Sequence, residues 1–123
     1  MKNDLVVERL CRLPADFYSG SKSMVQLVAE SGINTNPAAL AVASILTYLT
    51  NHSELIEQWL RWSENKRVTS GWYFMRQSGK YVVGFRPNGD ILNIAEPELA
   101  CAEFVVREVK AMMAIHHVGK LHS

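Results

Sequence analysis

The sequence predicts an α+β domain, with about four or five helices packed on a three-stranded antiparallel meander, and two switches of hydrophobic period carry that expectation. Up to Trp62 the apolar residues recur at helical spacing, and from Trp72 they alternate through two runs separated by Ser78-Gly79. After Glu96-Pro97-Glu98 the spacing becomes helical again. Strands enclosed between helical stretches, with turns too short for a crossover, point to an antiparallel sheet covered by helices.

In the first half, Leu5, Val6, Arg9, Leu10 and Leu13 form a short amphipathic helix that Pro14 should stop, because the prolyl ring disfavours helical geometry in the residue before it. Asp16 to Gly20 reads as a link carrying two aromatics. Ser21 or Ser23 can cap the next helix, with Met24, Leu27 and Val28 on one face and Gly32 at its end. Asn36-Pro37 restarts the helical pattern. Ala38–Leu49 is apolar nearly all round, which predicts a central, buried helix. Ser53 opens another helix with Glu57 and Arg61 as an i,i+4 pair, and its apolar stripe is Leu55, Ile56, Trp59, Leu60 and Trp62.

A two-residue turn at Ser78-Gly79 sets Gln77 opposite Lys80. Trp72 then faces Phe85, Phe74 faces Val83 and Arg76 faces Tyr81, all on one side, which is the expected core side with Trp72 and Phe85 buried. A third strand should follow the turn residues 87–90 at Ile91 to Ile94. A four-residue loop places Leu92 and Ile94 on the aromatic side and a three-residue loop places Asn93 there; burial favours the first. The last helix should start at Glu96-Pro97-Glu98 and cover the aromatic face with Leu99, Ala102, Val106, Val109 and Met113, widened by Phe104, Val105 and Met112.

Composition limits the function classes. A chain of 123 residues, 48% hydrophobic and 20% charged, is expected to form one domain over residues 1–123. A formal charge of +1 provides no global field to attract nucleic acid or an anionic membrane. Neither the Ala38–Leu49 run nor the C-terminal run reaches the roughly 20 apolar residues of a span. Together with two isolated cysteines, Cys11 and Cys101, and a charge-interrupted N-terminal segment, this leads us to expect a cytoplasmic protein with free thiols.

The chemical candidates are sparse. His116, His117 and His122 lack the i,i+4 pairing of zinc sites, and His52 precedes a helix. Cys11 and Cys101 sit in amphipathic patterns as small hydrophobes. Acidic residues occur singly or at helix starts, so the sequence draws no paired-carboxylate or magnesium site and calls for no cofactor, metal or small-molecule ligand. A helix-turn-helix across Lys22 to Leu49 lacks any lysine or arginine between Lys22 and Arg61 with which to reach DNA. Arg61, Lys66, Arg67, Arg76, Lys80 and Arg86 do form a basic stretch interleaved with aromatics, the basis of an alternative reading as a nucleic-acid-associated module.

The run from Glu54 to Phe74, followed by Tyr81-Val82-Val83-Gly84, by Ala100 to Phe104 and by Arg107-Glu108, resembles small immunity proteins of bacterial polymorphic-toxin and contact-dependent growth inhibition systems. The resemblance covers roughly the C-terminal half, with a faint likeness at Phe17–Gly32, and it rests on fold-determining aromatics. It implies a non-enzymatic inhibitor that neutralises a cognate toxin, specifically the toxin's C-terminal domain, by occluding its active site. Immunity proteins against cationic nucleases are often strongly acidic and this chain is not, which implies a toxin that is not strongly basic or an acidic patch confined to one surface. Two surfaces suit a protein partner. One is the sheet face opposite the core, with Tyr73, Met75, Lys80, Val82 and Arg86; the other is the acidic side of the tryptophan helix, with Glu54, Glu57 and Glu64.

Overall fold

The computed structural model describes residues 2–66, 71–87, 89 and 91–122, apart from the side chains of Lys2 and of 116–122. Its elements are α1 (Lys2–Cys11), α2 (Leu13–Ser19), α3 (Met24–Glu30), a 3-10 turn (Pro37–Ala39), α4 (Val42–Asn51), α5 (Glu54–Lys66), β1 (Gly71–Gln77), β2 (Lys80–Arg86), β3 (Ile91–Ile94) and α6 (Pro97–His122). This is the expected α+β domain with one more helix than the range allowed. The extra helix comes from Pro14. It sits in the first turn of α2, where a missing N–H leaves no bond unmade, so the segment expected as a link is helical and carries Phe17 and Tyr18.

Local signals account for the other helix ends. The Ser23 hydroxyl caps α3 by accepting the Gln26 N–H at 3.1 Å, and Gly32 beyond it takes φ +96°. Asn36-Pro37 opens only the 3-10 turn, and the Asn36 amide donates to the Gly32 carbonyl at 3.0 Å instead of capping.

The central helix is α6 and not, as its composition suggested, α4. Only Ile45 and Leu49 of α4 are buried, whereas α6 buries Ala100 to Ala102, Phe104 to Val106, Val109 and Met112. It packs on the sheet along one side and on α3, α4 and α5 along others, so it needs apolar residues nearly all round. Phe104 stacks on Phe74 of β1 at 5.6 Å and meets the edge of Trp59 at 5.9 Å. The Trp59 indole N–H donates to the Cys11 carbonyl at 2.9 Å, tying α5 to the end of α1. Among the described residues one charged group enters this core. Glu108 is 4% exposed and accepts hydrogen bonds from the Trp62 indole and the Lys66 ammonium of α5.

The sheet has the order β1-β2-β3 and the register that the turn chemistry dictates. Ser78 and Gly79 both take positive φ, 52° and 77°, as a tight hairpin turn of the primed type requires. Trp72 faces Phe85, Phe74 faces Val83, and four loop residues put Leu92 and Ile94 on the same side, opposite Val83 and Tyr81. That side is covered by α6, but not to its end. Phe74 and Val83 are buried, Trp72 is half-buried, and Phe85 is 39% exposed, against expectation. The reason lies in strand length: β3 begins opposite Gly84, so Phe85 has a strand neighbour on the β1 side alone, where its ring packs edge-on against Trp72 at 5.1 Å.

The free edge of β1 is closed by α5. The Phe74 N–H, which β2 does not take, donates to the buried Ser63 hydroxyl at 2.7 Å. Ser63→Ala leaves that buried donor without a partner and should lower stability by about 1 to 3 kcal/mol. Urea titration reads the effect; a loss below about 0.5 kcal/mol would mean that water reaches the edge.

Candidate functional site

Along the β1 edge, the helix α5 and the strands leave an open groove of about 1240 Å³, lined by residues of both sheet faces. Glu57, Leu60, Arg61, Ser63 and Glu64 of α5 line one wall, and Tyr73 to Arg76 of β1 line the other. Phe85, Arg86, Pro87, Gly89 and Ile91 extend it along β2 and the loop to β3. The groove exists because α5 lies along the β1 edge: the helix and the outward face of a twisted sheet meet at an angle that no further element fills.

Its best-defined feature is a stack. Gly84 lies buried in the middle of β2, where glycine weakens a strand, and a Cβ placed there would come within 2.5 Å of the Tyr73 hydroxyl oxygen. The absent side chain lets the Tyr73 ring lie across the neighbouring strand. Arg86 in turn places its guanidinium carbon 4.4 Å from the centre of that ring, within cation–π range. Beside the stack, Met75 is 37% and Ile91 59% exposed.

The two surfaces considered as rivals from the sequence are thus largely one. Glu57 and Glu64 of the acidic set face the same groove as Tyr73, Met75 and Arg86 of the sheet set. Three expected contact residues fall outside its lining. Glu54 stands at the start of α5, on the side of Arg12, whose pKa is raised chiefly by its hydrogen bond to Tyr48 and further by Glu8 and Glu54. Lys80 is exposed beside the hairpin turn. Val82 is 5% exposed, because on the central strand it is flanked from both sides, by Met75 and by Asn93. Arg61, expected in the basic stretch, Phe85, expected in the core, and Ile91, given no role, also line the groove. For Ile91 the signal was available, since the register that buries Leu92 and Ile94 must turn Ile91 outward.

The expected pair of Glu57 with Arg61 is replaced by an ion pair of Glu57 with Arg76 across the groove wall. Arg76 belongs to the α6 side by register but stands exposed near the hairpin end, within reach of α5. Of the basic stretch, Lys66 is committed to buried Glu108, and Arg67 lies outside the described residues.

The remaining chemical candidates have structural surroundings. Both thiols are buried; desolvation pushes Cys11 up to about 12 and Cys101 well above the usual thiol range, so neither forms a nucleophilic thiolate near neutral pH. His52 stacks on Tyr48 at 4.0 Å, and the Tyr48 hydroxyl accepts from Arg12 at 2.9 Å while donating to Glu8, a cluster linking α1 to α4. The side chains of His116, His117 and His122 lie outside the described residues. Among the described residues no group of three His, Cys, Asp or Glu is placed to hold a metal, and no helix is long and apolar enough to cross a membrane. No protein-family model matches the chain, and no curated protein or solved structure matches it significantly.

Proposed function

We propose that the chain is an immunity protein of a bacterial polymorphic-toxin or contact-dependent growth inhibition system, which binds the C-terminal domain of a cognate toxin through the groove between α5 and the sheet and blocks the toxin's active site by bulk. The observation that carries this reading is the groove itself, where the Tyr73–Arg86 stack stands beside exposed Met75 and Ile91 and is rimmed by Arg61, Glu57 and Glu64. Aromatic and arginine side chains backed by apolar surface are the groups that concentrate binding energy in protein interfaces. The resemblance adds support, because the span from Glu54 to Phe74 that carries it supplies α5 and the first half of β1, which form the two walls. The nucleic-acid reading draws no such support, as Lys66 and Arg76 are taken up by Glu108 and Glu57.

The test is protection. A host expressing the C-terminal domain of a cognate toxin should survive when the chain is co-expressed, and Tyr73→Ala/Arg86→Ala should abolish that protection. By calorimetry with the isolated toxin domain, each single change should weaken binding by about 2 kcal/mol or more. Glu54→Lys, outside the groove, should leave affinity unaltered. Wild-type affinity in the double variant would end the groove reading.

A further inference from the structure

We infer that the groove receives an acidic, aliphatic segment of the partner protein, with a partner carboxylate held by the guanidinium of Arg86. This deepens the protein-binding reading above and rests on it; what it adds is the sign of the partner's charge. The stack supplies the first argument. The Arg86 guanidinium carbon lies 4.4 Å over the Tyr73 ring and its N–H groups have no hydrogen-bond partner among the described residues, so its fork of donors is left to a ligand and suits the two oxygens of a carboxylate. Buried Gly84, a costly residue at mid-strand, is what lets Tyr73 lie in that position.

Charge accounting supplies the second argument. Among the described residues five charged side chains line the groove, and two of them, Glu57 and Arg76, neutralise each other. Neither Arg61 nor Arg86 has a carboxylate partner among the described residues. Against these two cations stands Glu64, so among the described residues the groove is left with an excess of positive charge. A basic partner segment would bury both arginines unpaired, which is costly, whereas an acidic one satisfies them. Exposed Met75 and Ile91 beside the stack call for aliphatic groups next to the acid. Glu64 and Glu57 disfavour a nucleic-acid strand, whose phosphates come in an unbroken row, while a protein segment can set a donor or an apolar group opposite each of them.

Selection from a random-peptide display library on the wild-type protein tests this without knowledge of the toxin. Enriched peptides should share an Asp or Glu at one position next to Leu, Ile, Val or Phe. Arg86→Gln should weaken their binding about tenfold, the scale of one charge-assisted contact. Tyr73→Leu, which removes the platform but no charge, should weaken it several-fold. Urea midpoints equal to wild type establish that both variants fold. Peptides without a shared acid, peptides that bind Arg86→Gln as tightly as wild type, an empty selection, or single-stranded oligonucleotides that bind through Arg86 more tightly than any peptide would each overturn the inference. Protection lost in Tyr73→Ala/Arg86→Ala alongside non-acidic peptides would leave the protein-binding reading standing and remove only the assigned sign.

Discussion

Lys66→Met should destabilise the protein by about 3 to 5 kcal/mol, because it leaves the Glu108 carboxylate buried and without its cation. The side chains of the pair are 12% and 5% exposed, so little water is available to compensate the orphaned charge. The Trp62 indole N–H still donates to Glu108 at 3.0 Å, but one neutral donor does not replace an ammonium. Lys66→Met/Glu108→Gln should recover most of the loss, since a neutral amide keeps an acceptor for Trp62 and removes the buried charge altogether. Urea titration of the four proteins in this cycle gives the coupling directly. A single-variant loss below about 1 kcal/mol would place the pair with exposed ion pairs, and burial would not be what sets its weight. The effect also bears on the groove: Lys66 ends α5, and α5 is one groove wall.

Phe74→Ala should cost about 3 to 5 kcal/mol, and Phe85→Ala only about 1 kcal/mol, although the two phenylalanines share one face of the same hairpin. Phe74 is enclosed between Phe104 of α6 and Tyr81, and deleting its ring leaves a cavity in the middle of the core. Phe85 packs against Trp72 edge-on and is 39% exposed, so deleting its ring opens no enclosed cavity. Equal losses for the two variants would mean that the aromatic face is covered evenly to the end of the strands.

The candidate site was half legible in the sequence. Register alone assigned Tyr73, Met75 and Arg86 to the side away from the core, and helical spacing assigned Glu57 and Glu64 to an outer face of α5. That these two sets form one groove was not legible, because it depends on α5 lying against the β1 edge, where the Ser63 hydroxyl meets the Phe74 N–H between residues eleven apart in sequence. The Tyr73–Gly84–Arg86 stack was hidden for a similar reason. A mid-strand glycine reads as a weak point until a ring is seen lying over it.

What the sequence by itself determined was set by local chemistry: the hairpin register through Ser78-Gly79, a serine cap on α3 at one of two candidate positions and the start of α6 at Pro97. Turn conformations, capping bonds and a period of two act within a few residues, so neighbours in sequence suffice to specify them. The tertiary structure alone decided which apolar helix is central, how far cover over the sheet extends and which charges are buried. Two helices, α4 and α6, are apolar enough to serve as the centre, and α6 takes that place because it packs on the sheet and on four other helices at once. Phe85 is left at the margin because β3 stops one residue short of it. Glu108 looks like any other helix glutamate in sequence, and its burial follows from Trp62 and Lys66 reaching it from α5. Burial is a property of what lies across from a residue, and that is set by the packing of segments distant in the chain.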